Sequence, residues 1–264
     1  MEIALIPIAW VYGLAILLGA VFGSFINAVA WRIPNGVSIA DGRSRCPQCG
    51  DPIAWYDNVP IVSYLVLRGR CRRCHKTIPP RYLLTEVIAA AGFGWQAYLF
   101  PNPLVWLWAT VFFCLLLLLA IIDLETMLLP NILTLPGALL FLAASFVPGI
   151  PVAPADAFAA AFGAAGMLFS IGFIYKRLRG RDGLGLGDVK LMLLLGAVLG
   201  VQKTLVALIV GSSGGALIGV GLLLIKGGNL RLRLPFGPFL AAGALVSLWF
   251  GDQLVPLFFP TSGL

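Results

Sequence analysis

Residues 104–122 read LVWLWATVFFCLLLLLAII, and this run of uncharged residues decides the fold. Its length and composition are those of a helix that crosses a lipid bilayer. The chain of 264 residues continues the pattern, since 60% of its residues are hydrophobic and only 11% are charged. A soluble domain of this size does not have such a composition. The sequence therefore predicts an all-α polytopic membrane protein.

Seven further apolar stretches flank this run, which gives eight predicted transmembrane helices. The predicted spans are 4–30, 82–100, 104–122, 131–149, 154–175, 189–201, 204–225 and 235–250. The stretch 189–201 is short for a bilayer, so we expect it to tilt or to begin deep in the membrane. We expect residues 1–264 to form a single integral membrane domain.

The distribution of charge predicts the orientation of these helices. Lysine and arginine are concentrated in four connecting segments that eight spans place on one side: 31–81, 123–130, 176–190 and 226–234. These segments hold 17 of the 18 basic residues, and the other side holds only Lys203. Basic loops remain in the cytoplasm, so we expect both termini to lie outside. The net charge of +7 then describes a basic membrane face beside anionic lipid rather than a surface that binds nucleic acid.

Residues 31–81, between the first two spans, form the one sizeable non-membrane segment. Two CxxC pairs separated by 21 residues supply four cysteines: Cys46, Cys49, Cys71 and Cys74. This spacing is typical of a closed, structural zinc site, which can stabilise a loop too small to have its own core. Two disulfides are the alternative, although cytoplasmic thiols stay reduced. His75 is an alternative ligand to Cys74, and Cys114 lies inside an apolar span as a packing residue.

Two aspartates lie at the edges of apolar runs. Asp123 ends the run quoted above, and Asp188 follows Gly183-Leu-Gly185-Leu-Gly187 and precedes another apolar stretch. Taken singly, each is more typical of an interfacial loop. An ionisable residue at the edge of the bilayer is nevertheless a functional hypothesis, and two converging carboxylates that share a proton suit the chemistry of aspartic proteases. Glu125 is a rival to Asp123, but it lies further into water.

Other chemistries fit the sequence less well. The three glycines before Asp188 do not have the GxGxxG spacing of a dinucleotide site. A membrane serine protease needs a histidine in a span, whereas His75 is the only histidine. No HExxH motif of a metalloprotease is present. A transporter with acidic ion sites remains an alternative, but such residues usually lie near the midplane, and we find no internal repeat.

Six motifs in order along the chain resemble those of the bacterial type IV prepilin leader peptidases, which belong to the GxGD class of membrane aspartic proteases. They are FGSFINAVAWRIP at 22–34, the two CxxC pairs, Arg81-Tyr82 with Glu86, Asp123 with Pro130-Asn131, Gly185-Leu-Gly187-Asp188, and Pro235-Phe236-Gly237-Pro238. A single GxGD motif is a weak signal, but six motifs in this order are specific.

The resemblance implies a peptidase of the bacterial inner membrane. Its substrates would be type IV prepilins or pseudopilins of type II secretion, cut after a glycine that ends a short basic leader. Asp123 and Asp188 would be the catalytic residues, on the cytoplasmic side of the membrane. Gly185 and Gly187 would be the two glycines of the GxGD motif that support Asp188. This agrees with the charge argument, which places both aspartates on that side.

The resemblance also implies a second activity, because members of this family commonly methylate the new N-terminus with S-adenosylmethionine. Asn27, Arg81 and Glu86 border the cysteine loop and match family motifs, so they are candidates for binding this cofactor. Two alternatives remain open. Asn27 and Glu86 could instead satisfy helix ends or pair with arginines, and the protein could be a peptidase without methylation.

Overall fold

The computed structural model describes residues 8–39, 44–46, 48–180, 185–226 and 234–259. Gly183 and most of the predicted basic segment 226–234 lie outside these residues. The described helices are α1 (Ile8–Arg32), α2 (Val62–Val66), α3 (Arg81–Leu99), α4 (Pro103–Thr126), α5 (Asn131–Ala144), α6 (Pro154–Arg179), α7 (Leu186–Lys226) and α8 (Gly237–Phe258), with a short 3₁₀ helix at Trp55–Asn58. The chain divides into two compact units, Met1–Leu118 and Leu119–Leu264.

The predicted all-α membrane fold is confirmed. Among the described residues, five helices are long and apolar enough to cross a bilayer, namely α1, α4, α6, α7 and α8. The helix α5 ends at Ala144, five residues before the predicted end of its span. Its 14 residues extend over about 21 Å, less than the roughly 30 Å of a hydrocarbon core. The number of eight spans therefore stays a prediction.

In the first unit, α1 packs along α3 through two glycines. A Cβ atom at Gly19 would lie 2.5 Å from the carbonyl oxygen of Ala89, and one at Gly23 would lie 2.7 Å from the Cα of Glu86. Small residues four apart let two membrane helices bring their backbones together. The glycines thus hold the start of α3 against the last turns of α1.

The cysteine loop contains two hairpins related by a shift of 25 residues. An isolated β-bridge joins Arg45 to Pro52 in the first hairpin, and another joins Arg70 to Thr77 in the second. Each hairpin carries one CxxC pair. We expected no internal repeat from the sequence, and the structure corrects that expectation for this short segment. Besides the cysteines, Arg45 and Ile53 of the first hairpin recur as Arg70 and Ile78 of the second, so the repeat is present in the sequence as well as in the backbone geometry.

The two hairpins also share their internal hydrogen bonds. The N–H of Gly50 donates to the carbonyl of Cys46 at 2.9 Å, and the N–H of His75 donates to the carbonyl of Cys71 at 3.0 Å. Both Gly50 (φ 74°) and His75 (φ 55°) have left-handed backbones. A histidine rarely adopts this conformation, whereas glycine does so at little cost. His75 therefore occupies the tight-turn position that glycine fills in the first hairpin.

In the second unit, the helix α7 is interrupted at Gly200, whose φ of 71° and ψ of 178° are not helical. The interruption gives two helical stretches, as the predicted spans 189–201 and 204–225 required. The N–H of Val201 donates to the Oδ1 of Asp156 at 3.2 Å, so the first turn of α6 caps the second stretch.

The first stretch of α7 forms the core of the second unit. Leu191, Met192, Leu194 and Leu195 are completely buried. At Gly196, an added Cβ would overlap the backbone of α6. Close packing on this side fixes the position of the residues at the start of α7.

Candidate active site

Asp123 lies in the last turn of α4, and its side chain is only 5% exposed. The backbone N–H of Gly237 donates to its Oδ2 atom at 3.0 Å. Gly237 is the first residue of α8, where backbone N–H groups have no partner within the helix. The carboxylate thus lies at the positive end of the α8 dipole, which favours a negative charge.

Asp188 lies in the first turn of α7. Its N–H donates to the carbonyl of Gly185 at 3.1 Å, and its carboxylate accepts a hydrogen bond from the N–H of Gly185. This reciprocal pair is the arrangement by which an acidic residue in the first turn caps a helix. The GxGD motif therefore places its aspartate at a helix N-terminus, where the dipole stabilises the charge.

The side chain of Leu129 connects the two aspartate positions. A Cβ atom at Gly187 would lie 3.1 Å from the Cβ of Leu129, and one at Gly237 would lie 3.4 Å from its Cδ2. The carboxylates of Asp123 and Asp188 are close enough to interact electrostatically. The structure therefore brings together the two aspartates that the sequence analysis paired.

Two neighbouring residues differ from this pair. Glu125, the rival of Asp123, is exposed although it lies in the same turn of α4. The Nζ of Lys190 donates to the Oδ1 of Asn131 at 2.6 Å. This bond joins the first turn of α7 to the first residue of α5.

The role of Gly237 was not found from the sequence, although its PFGP motif was. A Cβ atom at this position would lie 2.6 Å from the Oδ2 of Asp123. Only glycine lets the backbone N–H approach the carboxylate this closely. No local sequence pattern indicates a contact between residues that are 114 positions apart.

Two carboxylates that interact can perform general acid–base chemistry. When one is ionised and the other protonated, the first can take a proton from water and the second can donate one. A helix N-terminus stabilises a negative charge on each of the two carboxylates. The single negative charge of the pair can therefore lie on either Asp123 or Asp188. Hydrolysis of a peptide bond requires both functions.

The four cysteines of the loop meet at one point. Their Sγ atoms all lie within 4.8 Å of one another, and those of Cys46 and Cys74 are 3.9 Å apart. Thiolates that surround zinc as a tetrahedron at about 2.3 Å are separated by about 3.8 Å. The donor set and its geometry therefore fit one zinc ion, and His75 is not part of the cluster.

The pKa values of two of these thiols differ strongly. The backbone N–H of Cys74 is the largest influence on Cys71 and lowers the pKa of this thiol to about 7. A backbone hydrogen bond at Asp51 favours the Cys49 thiolate, but desolvation and the nearby sulfurs of Cys46 and Cys74 together raise the pKa of Cys49 to about 12. Four ionised sulfurs this close would repel one another without a cation among them.

A cavity of about 770 Å³ lies next to the cysteine cluster, in the same unit. This volume is typical of a small-molecule site, for which about 300–1,000 Å³ is usual. Asn27 and Glu86 both line it, and Arg81 does not. The guanidinium of Arg81 instead lies over the ring of Tyr82, 4.8 Å from its centroid.

Asn27, which lines the cavity, has one side-chain polar atom that is left without a partner among the described residues. Its side chain is 2% exposed, and its Nδ2 donates to the carbonyl of Tyr82 at 3.0 Å. Its Oδ1 has no hydrogen-bond partner in the described part of the chain. A buried acceptor without a partner is costly, so this atom suits a donor on a bound ligand.

Two protein-family models match the chain. The bacterial peptidase A24 N-terminal domain matches residues 17–100, and the type IV leader peptidase family matches residues 110–220. No solved structure matches the chain.

Curated relatives match the chain over most of its length, and each is named a prepilin leader peptidase/N-methyltransferase. The protein from Aeromonas hydrophila is 35% identical over 93% of this chain and 93% of its own length. That from Pseudomonas aeruginosa is 33% identical over 97% of this chain and 96% of its own. That from Klebsiella pneumoniae is 41% identical over 70% of this chain and 84% of its own.

Proposed function

This chain belongs to the type IV leader peptidase family, and from that membership we propose that it removes the short basic leader from type IV prepilins or type II secretion pseudopilins. The observation that carries the proposal is the convergence of Asp123 and Asp188, each at a helix N-terminus. A structural pair of acidic residues would be expected to have basic partners, whereas each of these carboxylates accepts a backbone N–H.

In the proposed reaction, Asp123 and Asp188 flank one water molecule. The ionised carboxylate takes a proton from the water as its oxygen bonds to the scissile carbonyl carbon. The protonated carboxyl donates its proton to the carbonyl oxygen, which gives a tetrahedral gem-diol. The carboxyl that took the proton from water then gives it to the amide nitrogen as the C–N bond breaks, and the other carboxylate takes a proton back from a gem-diol hydroxyl, which restores the pair. The N–H groups of Gly237 and Gly185 hold the carboxylates in place during these transfers.

We assign the second activity, N-methylation, to the first unit. S-adenosylmethionine supplies a methyl group on a sulfonium sulfur, and a cationic, polar cofactor of this kind requires a polar site open to water. The cavity beside the cysteine cluster has a suitable volume and offers Asn27 and the carboxylate of Glu86. Arg81 would act indirectly, because its guanidinium lies over the ring of Tyr82, and Tyr82 lines the cavity.

We assign a structural zinc ion to Cys46, Cys49, Cys71 and Cys74. A four-thiolate site has no open coordination position, so the metal would shape the loop without taking part in chemistry. Cys46 and Cys71 also line the cavity. Loss of the metal is therefore expected to affect the cofactor site more than the aspartates.

The protein is a multi-pass membrane protein, and we propose the bacterial inner membrane as its location. The basic segments 31–81 and 176–190 would face the cytoplasm. Asp123 and Asp188 would then act on the side where a basic leader is retained.

One experiment tests both activities. Purified enzyme in lipid is incubated with a prepilin and S-adenosylmethionine that carries a labelled methyl group, and mass spectrometry locates the cut and the label. We expect a cut after the glycine that ends the leader and a label on the new N-terminal amine. A cut without label would show a peptidase that does not methylate. The absence of both the cut and the label would contradict the proposal.

A further inference from the structure

The segment 55–66 of the cysteine loop exposes six apolar side chains. We call this set the apolar face: Trp55, Tyr56, Val59, Val62, Leu65 and Val66. Trp55 is 76% exposed, Leu65 is 61% exposed and Val66 is 70% exposed. Spacings of three and four residues place the three members from α2 on one side of that helix.

Hydrogen bonds fix this orientation from the inner side. The hydroxyl of the buried Ser63 accepts the N–H of Val59 at 3.1 Å and donates to the carbonyl of Tyr56 at 2.9 Å. The hydroxyl of Tyr64 donates to the carbonyl of Ile78 at 3.1 Å. The helix α2 thus turns hydroxyl groups inward and aliphatic groups outward, the reverse of a helix whose outer side meets water.

The segment that carries the apolar face lies beside the helices α1 and α3 at Ile61, rather than beyond their ends. The N–H of Ile61 donates to the Oε2 of Glu86 at 2.7 Å. Glu86 is about 7.5 Å along α3 from Arg81, at 1.5 Å per residue. Its Cα also packs at Gly23, which is about 13 Å from the end of α1. This bond therefore holds the segment 55–66 at the level of the last turns of α1.

The backbone at Ile61 is strained, which indicates that the surroundings fix its position. Its φ of 63° and ψ of −53° are unusual for a β-branched residue. A hydrogen bond of 2.6 Å from the N–H of Val62 to the carbonyl of Pro60 closes a γ-turn around it. The turn directs the N–H of Ile61 toward Glu86.

Basic residues follow the apolar face directly in the chain. Arg68, Arg70 and Lys76 are exposed, and Arg72 pairs with Asp57 at 2.7 Å. Tryptophan and tyrosine are common at the boundary between lipid and water, and exposed lysine and arginine attract anionic headgroups.

We propose that the apolar face is embedded in the bilayer surface, in the leaflet where α1 ends and α3 begins, with anionic lipid headgroups around Arg68, Arg70 and Lys76. The segment 55–66 is then an interfacial element that lies on the membrane without crossing it. Asp57 and Ser63 line the cavity, and so do Tyr56 and Val59 of the apolar face, so the segment borders the cavity as well as its outer surroundings. The segment is therefore the wall that separates the cavity from lipid. This inference goes beyond the proposed activities and does not depend on them.

Photocrosslinking tests the proposal in the full chain. The photoreactive residue p-benzoylphenylalanine replaces Leu65 or Val66 and, as a control in the same loop, Arg73, which is also well exposed. Each variant is placed in nanodiscs of phosphatidylethanolamine, with and without phosphatidylglycerol. Adducts are identified by mass spectrometry, and zinc content confirms that each loop is folded. We expect several-fold more lipid adducts at Leu65 and Val66 than at Arg73, with a larger yield when phosphatidylglycerol is present.

Equal yields of lipid adducts at Leu65 and Arg73 would overturn the proposal. So would adducts of Leu65 with a second copy of the chain, or with an added prepilin, in place of lipid. A yield that does not change with phosphatidylglycerol would overturn the assignment of anionic headgroups.

Discussion

The cysteine loop and the aspartate site both unite residues that are distant in sequence, but different groups hold them together. In the loop, side chains do so, since four sulfurs meet within 4.8 Å. At the aspartate site, backbone N–H groups do so: Gly237 donates to Asp123, and Gly185 donates to Asp188. The loop has four candidate metal ligands at its centre, whereas the aspartate site depends on how closely helix ends approach.

This difference predicts how each region fails. The loop should lose its structure when one ligand is lost, but it should tolerate changes at positions that only shape its turns. The aspartate site should be sensitive to a single added methyl group at a glycine, because a Cβ there would displace a carboxylate.

The largest effect is expected from the aspartates themselves. Asp123→Asn and Asp188→Asn each remove a carboxylate that the reaction needs, so leader removal should fall to background in both variants. Glu125→Gln is the matched control, because Glu125 is in the same turn of α4 but exposed, and it should keep most of the activity. Robust cleavage by the Asp188→Asn enzyme would refute the proposed mechanism.

A strong but incomplete effect is expected from Gly237→Ala. The added Cβ would lie 2.6 Å from the Oδ2 of Asp123, which would weaken a hydrogen bond to a charged group. Such bonds contribute about 1.5–3 kcal/mol, so kcat for cleavage should fall about ten- to hundredfold, with little change in KM.

Gly214→Ala provides the control for that substitution. Nothing lies within 4 Å of a Cβ at Gly214, so its cleavage rate should be that of the unmodified enzyme. If both glycine variants cleaved at the same rate, the N–H of Gly237 would have no part in positioning Asp123.

The loop should respond in the opposite way. Cys49→Ser removes one of four ligands, so bound zinc should fall well below the expected level of about one ion per chain, and thermal stability should drop. His75→Gly changes a residue that is outside the cluster and has a φ of 55°. The His75→Gly protein should keep its zinc, and its free energy of unfolding should rise by up to about 1 kcal/mol, because glycine adopts this conformation freely. Loss of zinc in the His75→Gly protein would instead indicate that His75 is a zinc ligand.

The smallest effect is expected at the interruption of α7. Asp156→Ala removes the acceptor for the N–H of Val201, and loss of a helix cap costs about 0.5–2 kcal/mol. The melting temperature should fall while cleavage per folded molecule stays unchanged. Asp156→Asn retains a capping oxygen and should melt near the unmodified protein. Equal melting of all three proteins would show that this bond contributes nothing.

Much of the fold and of the site could be predicted from residue type and spacing. The uncharged run at 104–122 predicted a membrane helix, and the CxxC spacing predicted the sulfur cluster. The edge positions of Asp123 and Asp188 predicted that they could meet. These predictions succeed for two reasons. The free-energy cost of a charged group in lipid restricts which residues lie within or at the edge of a membrane span, and the geometry of metal coordination restricts the spacing of ligands.

The remainder depends on tertiary contacts that no local pattern encodes. The bond from Gly237 to Asp123, the cap of Asp156 on Val201, and the pair formed by Lys190 and Asn131 all join different helices. The outward apolar side of α2 was also missed, because an apolar stretch does not show by itself which side faces a core. The 25-residue repeat of the hairpins could have been found by aligning the two CxxC pairs.

The division of the two activities between the two regions is tested most directly with a pilin segment that already lacks its leader. The Asp188→Asn enzyme and the Glu86→Gln and Asn27→Ala enzymes are each given this segment with labelled S-adenosylmethionine, and leader removal is assayed separately on a prepilin. We predict that Asp188→Asn methylates the segment at the rate of the unmodified enzyme but does not cleave. Glu86→Gln and Asn27→Ala should cleave but methylate poorly. Loss of methylation by Asp188→Asn, or equal loss of both activities in Glu86→Gln and Asn27→Ala, would contradict this account.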